Sequence, residues 1–225
     1  METTSRNSVQ IPAIEIENLS VKVNRQSIFS GLSLRLDQGQ KTTLVGRSGS
    51  GKSSLLRALL GFVAPESGTI RIFGRKLTAH SVWELRTHMA YVAQEPEMAA
   101  GKVRDVLETP FSFKNNRHLR ENLKRIPGLL DRLQLPGEIS EKDVTDLSGG
   151  ERQRIALISA LLLDREILLL DEASSALDQA AKHAVIDLLR AGRSLTILSV
   201  SHDREWMGFS DNIVELSEPQ KEAPA

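Results

Sequence analysis

The chain contains no cysteine. That removes disulfides, thiolate zinc sites and thiol nucleophiles together, and it fits a reducing compartment. There is no excess charge of either sign, with 29 Lys+Arg against 29 Asp+Glu. A protein that holds nucleic acid through bulk positive charge is therefore disfavoured. A local anion site is not, because it needs placed backbone amides rather than net charge. Long hydrophobic runs are missing as well. The longest, Ile155 to Leu163, is interrupted by Ser159, and a membrane span needs about 20 apolar residues. The opening METTSRNSVQIP lacks the apolar stretch of a signal peptide. Work at a membrane is then expected from the cytoplasmic side of the inner membrane, peripherally and through a partner.

What is present is an ordinary globular composition, 40% hydrophobic and 26% charged over 225 residues. At this length about 70% of the extended chain's surface can be buried, so a core needs no covalent staple. One domain is expected over 14–216. Residues 1–13 and 217–225 read as flexible tails, polar or proline-bearing and without an apolar face.

The front of the chain is rich in strands. Residues 14–23 alternate apolar and polar, as do 33–36, and Lys41–Val45 reads as a short buried strand that runs into glycines. Residues 53–60 read as the helix that follows, and glycines 68 and 74 punctuate a hairpin-like TIRIFG segment. Between 103 and 146 strand character fades. Helical stretches are expected around 119–125 and 129–133, broken by Pro110, Pro127 and Pro136. In the last third, expected helices at 151–163 and 176–190 alternate with buried strands at 167–170, 195–200 and 212–216. Strands alternating with helices of this length imply an α/β fold with a parallel sheet. The helical middle, about 95–150, is expected as an inserted lobe.

Two segments carry phosphate chemistry. Gly46-Arg47-Ser48-Gly49-Ser50-Gly51-Lys52-Ser53 matches G-x-x-x-x-G-K-[ST]. Its glycines let the loop fold so that backbone N–H groups, with that of Ser54, point at phosphates. The helix that follows adds its positive end. Lys52 supplies a point charge for the β- and γ-phosphates, and the Ser53 hydroxyl can ligate Mg²⁺. The second segment, Ile167-Leu168-Leu169-Leu170-Asp171-Glu172, is an apolar strand ending in two carboxylates. Ligands of parallel sheets bind beyond the carboxyl ends of strands. Asp171 there can hold Mg²⁺, and Glu172 can act as general base toward the water that attacks the γ-phosphate.

A third segment, Leu147-Ser148-Gly149-Gly150-Glu151-Arg152-Gln153-Arg154, opens a helix with a serine suited to the N-cap and bare amides behind it. The order of a phosphate loop, this LSGGE segment, ILLLDE, Ser175-Ala176-Leu177-Asp178 and Ser201-His202-Asp203 resembles the nucleotide-binding subunit of ATP-binding cassette (ABC) transporters. The resemblance covers about 14–216. It implies an ABC ATPase core with a mostly parallel sheet, an antiparallel β subdomain toward the N-terminus and an inserted α-helical lobe. It implies ATP and Mg²⁺ as ligands, with hydrolysis driving transport by a separate permease.

Residue by residue, the resemblance implies that Gln94, in Tyr91-Val92-Ala93-Gln94-Glu95, contacts Mg²⁺ and the lytic water and links the core to the helical lobe. It implies that Ser148, Gly149 and Gly150 bind the γ-phosphate of ATP held by a second copy. The active form would then be a head-to-tail dimer, with Asp178 in the turn toward the partner. It implies that His202 contacts the γ-phosphate and Glu172. His80, His88, His118 and His183 read as surface residues.

Three features depart from the family pattern. Where an aromatic usually stacks on adenine the chain has Val23, and Val21–Ile28 holds no aromatic, so adenine is expected to be held weakly or by apolar contact, with little selectivity for the base. Ser159 stands where an arginine is common, with no functional account. Glu141–Asp146 lacks the glycine-containing stretch of many exporters with fused membrane domains. Only about 95 residues separate Lys52 from Ser148, too few for the long insertions of chromosome and DNA-repair relatives. The leading reading is an ATPase subunit energising a permease, with a metal ion such as iron as cargo. The alternative is an ABC-type ATPase that regulates or assembles a membrane complex without pumping.

Overall fold

The computed structural model describes residues 10–23 and 26–216, and the side chains of Val23 and Gln26 are also outside that description. The first segment to alternate, Ile14–Val23, is strand β1. It lies between β2 (Gln26–Leu36) and β4 (Ser67–Ile72), and β5 (Arg75–Lys76) completes an antiparallel sheet ordered β2-β1-β4-β5. Of the expected tail 1–13, residues 10–13 run against this sheet. Ala13 is buried, and its N–H donates to Leu36 O at 2.9 Å. Residues 1–9 and 217–225 lie outside the described residues.

The second sheet is parallel. It holds β3 (Lys41–Val45), β6 (Met89–Val92), β7 (Ile167–Asp171), β8 (Thr196–Val200) and β9 (Asn212–Glu215) in the order β6-β7-β8-β3-β9. Every residue of β7 and β8 is buried. β7 shows why an unbroken aliphatic run forms a strand here. Ile167 and Leu169 face one hydrophobic cluster, with the antiparallel sheet, while Leu168 and Leu170 face the other, with the helical half of the chain. A central strand covered on both faces has no polar side to show.

Among the described residues seven α-helices accompany the sheets: α1 (Lys52–Leu59), α2 (Val82–Leu85), α3 (Val103–Glu108), α4 (Ile126–Arg132), α5 (Gly149–Leu162), α6 (Gln179–Ala191) and α7 (Arg204–Met207). Leu55, Leu56 and Leu59 place α1 in the cluster that joins the two sheets. Between α3 and α5 the chain is helical, much of it in 3-10 turns, including Lys114–Arg125.

Two details differ from the sequence reading. Pro127 does not break a helix but sits in the first turn of α4, where an N–H would have no intrahelical partner. Pro110 likewise opens the turn Thr109–Ser112. The helix expected from 176 starts at Gln179, because the Asp178 side chain accepts the Ala181 N–H at 2.8 Å and fixes the start. Residues 174–177 before it form tight turns.

Candidate functional site

β3 delivers the chain into the phosphate loop, and α1 takes it away. Gly46 has φ 145°, and a Cβ there would stand 2.6 Å from the Leu216 carbonyl. Gly51 caps α1 in the left-handed region at φ 92°, where a Cβ would come 2.4 Å from Ile28. Both positions therefore demand glycine. Arg47, Ser48 and Gly49 are exposed, and Ser50 is buried. Lys52 is 6% exposed, and its Nζ donates to Gly46 O at 2.7 Å and Arg47 O at 2.9 Å. Its ammonium is thus folded back over the loop. Neither an acidic residue nor a side-chain cap occupies the first turn of α1, so the positive end of the helix is left for an anion. Ser53 and Ser54 remain partly accessible there.

The acidic pair emerges from β7, two strands away from β3. Asp171 is 3% exposed, and both of its oxygens have donors. Ser53 Oγ donates to Oδ1 at 2.9 Å, and the Tyr91 hydroxyl donates to Oδ2 at 3.2 Å. Tyr91 comes from β6, the neighbouring strand. Burial first, then the Asp171 charge, pushes its phenol up to about 12, so it keeps its proton at any working pH. Glu172 breaks from the strand with φ 47°. A left-handed glutamate costs about 1 kcal/mol or more and persists only where its surroundings hold it. The Glu172 N–H donates to Val200 O at 3.0 Å, and the Gln94 amide donates to Glu172 Oε2 at 3.0 Å. The turn aims the glutamate at the loop after β6 rather than along β7.

His202 is exposed just beyond β8, and its side chain makes no hydrogen bond among the described residues. Its neighbours fix it. Asp203 caps α7 by accepting the Glu205 and Trp206 N–H groups at 3.0 Å each, and pairs with Lys182 of α6. Trp206 is fully buried, with its indole N–H on Ser199 Oγ at 3.0 Å.

The LSGGE segment forms a capping box at the start of α5. Ser148 Oγ accepts the Glu151 N–H at 3.2 Å, and Glu151 Oε2 accepts the Ser148 N–H at 2.8 Å. The Ser148 N–H is the main reason the Glu151 carboxyl is held below its usual range. Ser148 spends a lone pair on the cap, so its O–H stays free to donate outward. Gly150 is close-packed, since a Cβ there would meet the Ala176 carbonyl at 2.9 Å.

The chain thus brings Lys52, Ser53, Asp171, Glu172 and Gln94 together. Ser148, Gly149 and Gly150 share no hydrogen bond with the phosphate loop; Gly149 and Gly150 lie instead against the turn that carries Asp178. Three residues escaped the sequence reading: Tyr91, Lys182 and Gln153. Gln153 is 2% exposed and donates to Ala93 O at 3.2 Å, tying α5 to the residue before Gln94. Lys182 and Gln153 look like ordinary helix residues in sequence. Tyr91 could have been found as a polar-tipped residue at an otherwise apolar strand position. His88 and His183 pair with surface glutamates, in keeping with their surface reading. The Val23 side chain, read as the position facing adenine, lies outside the described ones.

A family model described as ABC transporter matches residues 29–175. The chain is 33% identical over 221 residues to the energy-coupling factor transporter ATP-binding protein EcfA1 of Leuconostoc mesenteroides, covering 94% of this chain and 79% of that one. It is 30% identical over 208 residues to the probable iron export ATP-binding protein FetA of Escherichia coli, covering 91% of each. Among solved structures it is similar to a bacterial Atm1-family ABC exporter with ATP bound, at TM-score 0.80 and 27% identity. That match covers 93% of this chain and 38% of the exporter chain. A dimeric ATP-binding cassette, MJ0796, bound to ADP and Pi shares the fold at TM-score 0.81 and 24% identity, covering 91% of this chain and 94% of that one.

Proposed function

The chain belongs to the ABC transporter family, and from that premise we propose that it drives a separate membrane permease from the cytoplasmic face of the inner membrane. It is an ATP-binding and ATP-hydrolysing subunit of such a transporter. Among the described residues no helix is long and apolar enough to cross a membrane, so translocation falls to the partner. The single observation that carries the reading is the meeting of Lys52, Ser53, Asp171, Glu172 and Gln94 at the carboxyl ends of parallel strands.

In this reading the amides of Gly49, Gly51, Lys52 and Ser53 cradle the phosphates, and Lys52 turns from its carbonyls to the β- and γ-phosphates. Glu172 takes the proton of the attacking water, and Gln94 holds the carboxylate on line. His202 reaches the γ-phosphate from the end of β8. The donor set suits Mg²⁺: one hydroxyl and one carboxylate 2.9 Å apart, hard oxygens that leave the remaining positions to phosphate and water. Ser53, Asp171 and Gln94 would hold the ion. It would supply positive charge against the charge that develops on the phosphates. The outward O–H of Ser148, with the amides of Gly149 and Gly150, would serve the ATP of a second copy. The ATPase domain spans 14–216 in this proposal, with the helical lobe at about 95–150.

The permease would dock where the helical lobe meets the core. Gln94–Gly101 is an exposed loop that includes Ala99. A cleft of about 760 Å³ opens between Trp83 and Glu166 on one side and His118 and Leu119 on the other. Trp83 is 72% exposed, and with Phe62 it brackets the Arg86 guanidinium at 4.8 and 4.4 Å. Ala99→Arg and Trp83→Glu should each leave nucleotide binding by the isolated subunit intact while ending co-purification with the permease. If complexes survive both changes, the docking surface lies elsewhere.

For the cargo we propose a metal ion such as iron, and the likeness to a probable iron export ATP-binding protein supports it. Cells lacking this chain should then accumulate iron under iron excess. Unchanged cellular iron across a range of supply would remove the assignment while leaving the ATPase reading untouched.

A further inference from the structure

We propose that Tyr91 is a positioning residue for the divalent cation, acting through Asp171. This rests on the reading that Mg²⁺ lies beside Ser53 and Asp171. Among the described residues Asp171 is the only buried carboxylate, and once β7 fixes its backbone the soft torsion of its side chain is the one that turns the carboxylate plane. The Ser53 hydroxyl alone does not fix that torsion, because a single bond to Oδ1 leaves Oδ2 free to swing. The Tyr91 hydroxyl does, by holding Oδ2 at 3.2 Å from the opposite side to the Ser53 bond on Oδ1. One oxygen is thereby kept for the cation side, and the other is satisfied by protein.

The phenol suits this task. A water at the same place could leave when nucleotide enters, whereas Tyr91 is anchored in β6, paired in register with Leu169 of β7. Its ring packs against the cluster between the sheets. Outer partners of metal-binding carboxylates typically affect metal affinity by about 10- to 100-fold.

Tyr91→Phe deletes the hydroxyl and keeps the ring. In a Glu172→Gln background, which prevents turnover, binding of a fluorescent ATP analogue is titrated with Mg²⁺. The Mg²⁺ midpoint should rise about tenfold in Tyr91→Phe, while binding in EDTA stays equal to the Tyr91 parent. Equal midpoints would overturn the proposal. So would an equal loss in EDTA and in Mg²⁺, which would place the hydroxyl's effect on the fold. Were the Tyr91 parent to show no Mg²⁺ dependence, the cation site itself would fail and this inference with it. Tyr91 is the only tyrosine in the chain, so 3-fluorotyrosine gives a single ¹⁹F reporter in the otherwise unaltered protein. Its resonance should move when Mg²⁺ is added to the nucleotide-loaded protein, and a stationary resonance would count against the proposal whatever the variant does.

Discussion

Glu172→Gln is expected to cut ATP turnover by roughly 10²–10⁴-fold, the usual share of a general base, while ATP still binds. The amide has the size of the carboxylate but takes no proton from water. The left-handed backbone at φ 47° and the bond to Val200 O do not depend on the side chain, so the turn survives the change. The contact with Gln94 survives too, since one amide can accept from the other. The phosphate loop is untouched. ATP held without hydrolysis would bridge two copies, so the variant should run as a dimer on gel filtration with ATP and Mg²⁺ and as a monomer without them. Near-normal turnover would move the base elsewhere. Lost turnover with a monomer at saturating ATP would keep Glu172 as base and count against the shared site.

Lys52→Ala is expected to lower nucleotide affinity by at least 100-fold and to abolish hydrolysis. Lys52 is the one residue of the loop whose cation is folded inward, at 2.7 and 2.9 Å from two loop carbonyls. Each charge-assisted bond it exchanges for a phosphate oxygen contributes about 1.5–3 kcal/mol, and two of them amount to two powers of ten or more. The fold should hold, because the Arg47 carbonyl lies in an exposed stretch and can turn to water. Calorimetric titration with ATP, beside a thermal melt, separates the two effects. Binding within threefold of the parent would mean that the backbone amides carry the phosphates without the lysine. A collapsed melt would mean that the lysine chiefly supports the loop.

Much of this was legible in the sequence, and the legible parts share a property. The phosphate loop, the N-cap at Ser148 and the buried run of β7 are built from neighbours in the chain. Backbone amides, a cap three residues ahead and a strand covered on both faces need no distant partner to be recognised. The resemblance to a known family then supplied the order in which these parts occur. Where local preference misled, a local contact had outvoted it. Ala176 and Leu177 favour helix, yet the Asp178 cap starts α6 at Gln179, and Pro127 opens a helix it was expected to end.

What the tertiary structure decided is which of these parts touch. Ser53 and Asp171 lie 118 positions apart, and Tyr91 and Asp171 lie 80 apart. They meet because β6, β7 and β8 run parallel beside β3 and end on one edge. A polar tip in an apolar strand marks Tyr91, but no pattern along the chain announces that its hydroxyl meets Asp171, since a strand position shows its partners only once its neighbours are paired. The need for glycine at 150 is of the same kind: it comes from the Ala176 carbonyl, 26 positions onward. Hydrophobic periodicity determines that a segment is buried, because burial depends on composition averaged over a face. Which polar atom finds which partner depends on a few tenths of an ångström between elements, and that is set only when the sheets and helices pack.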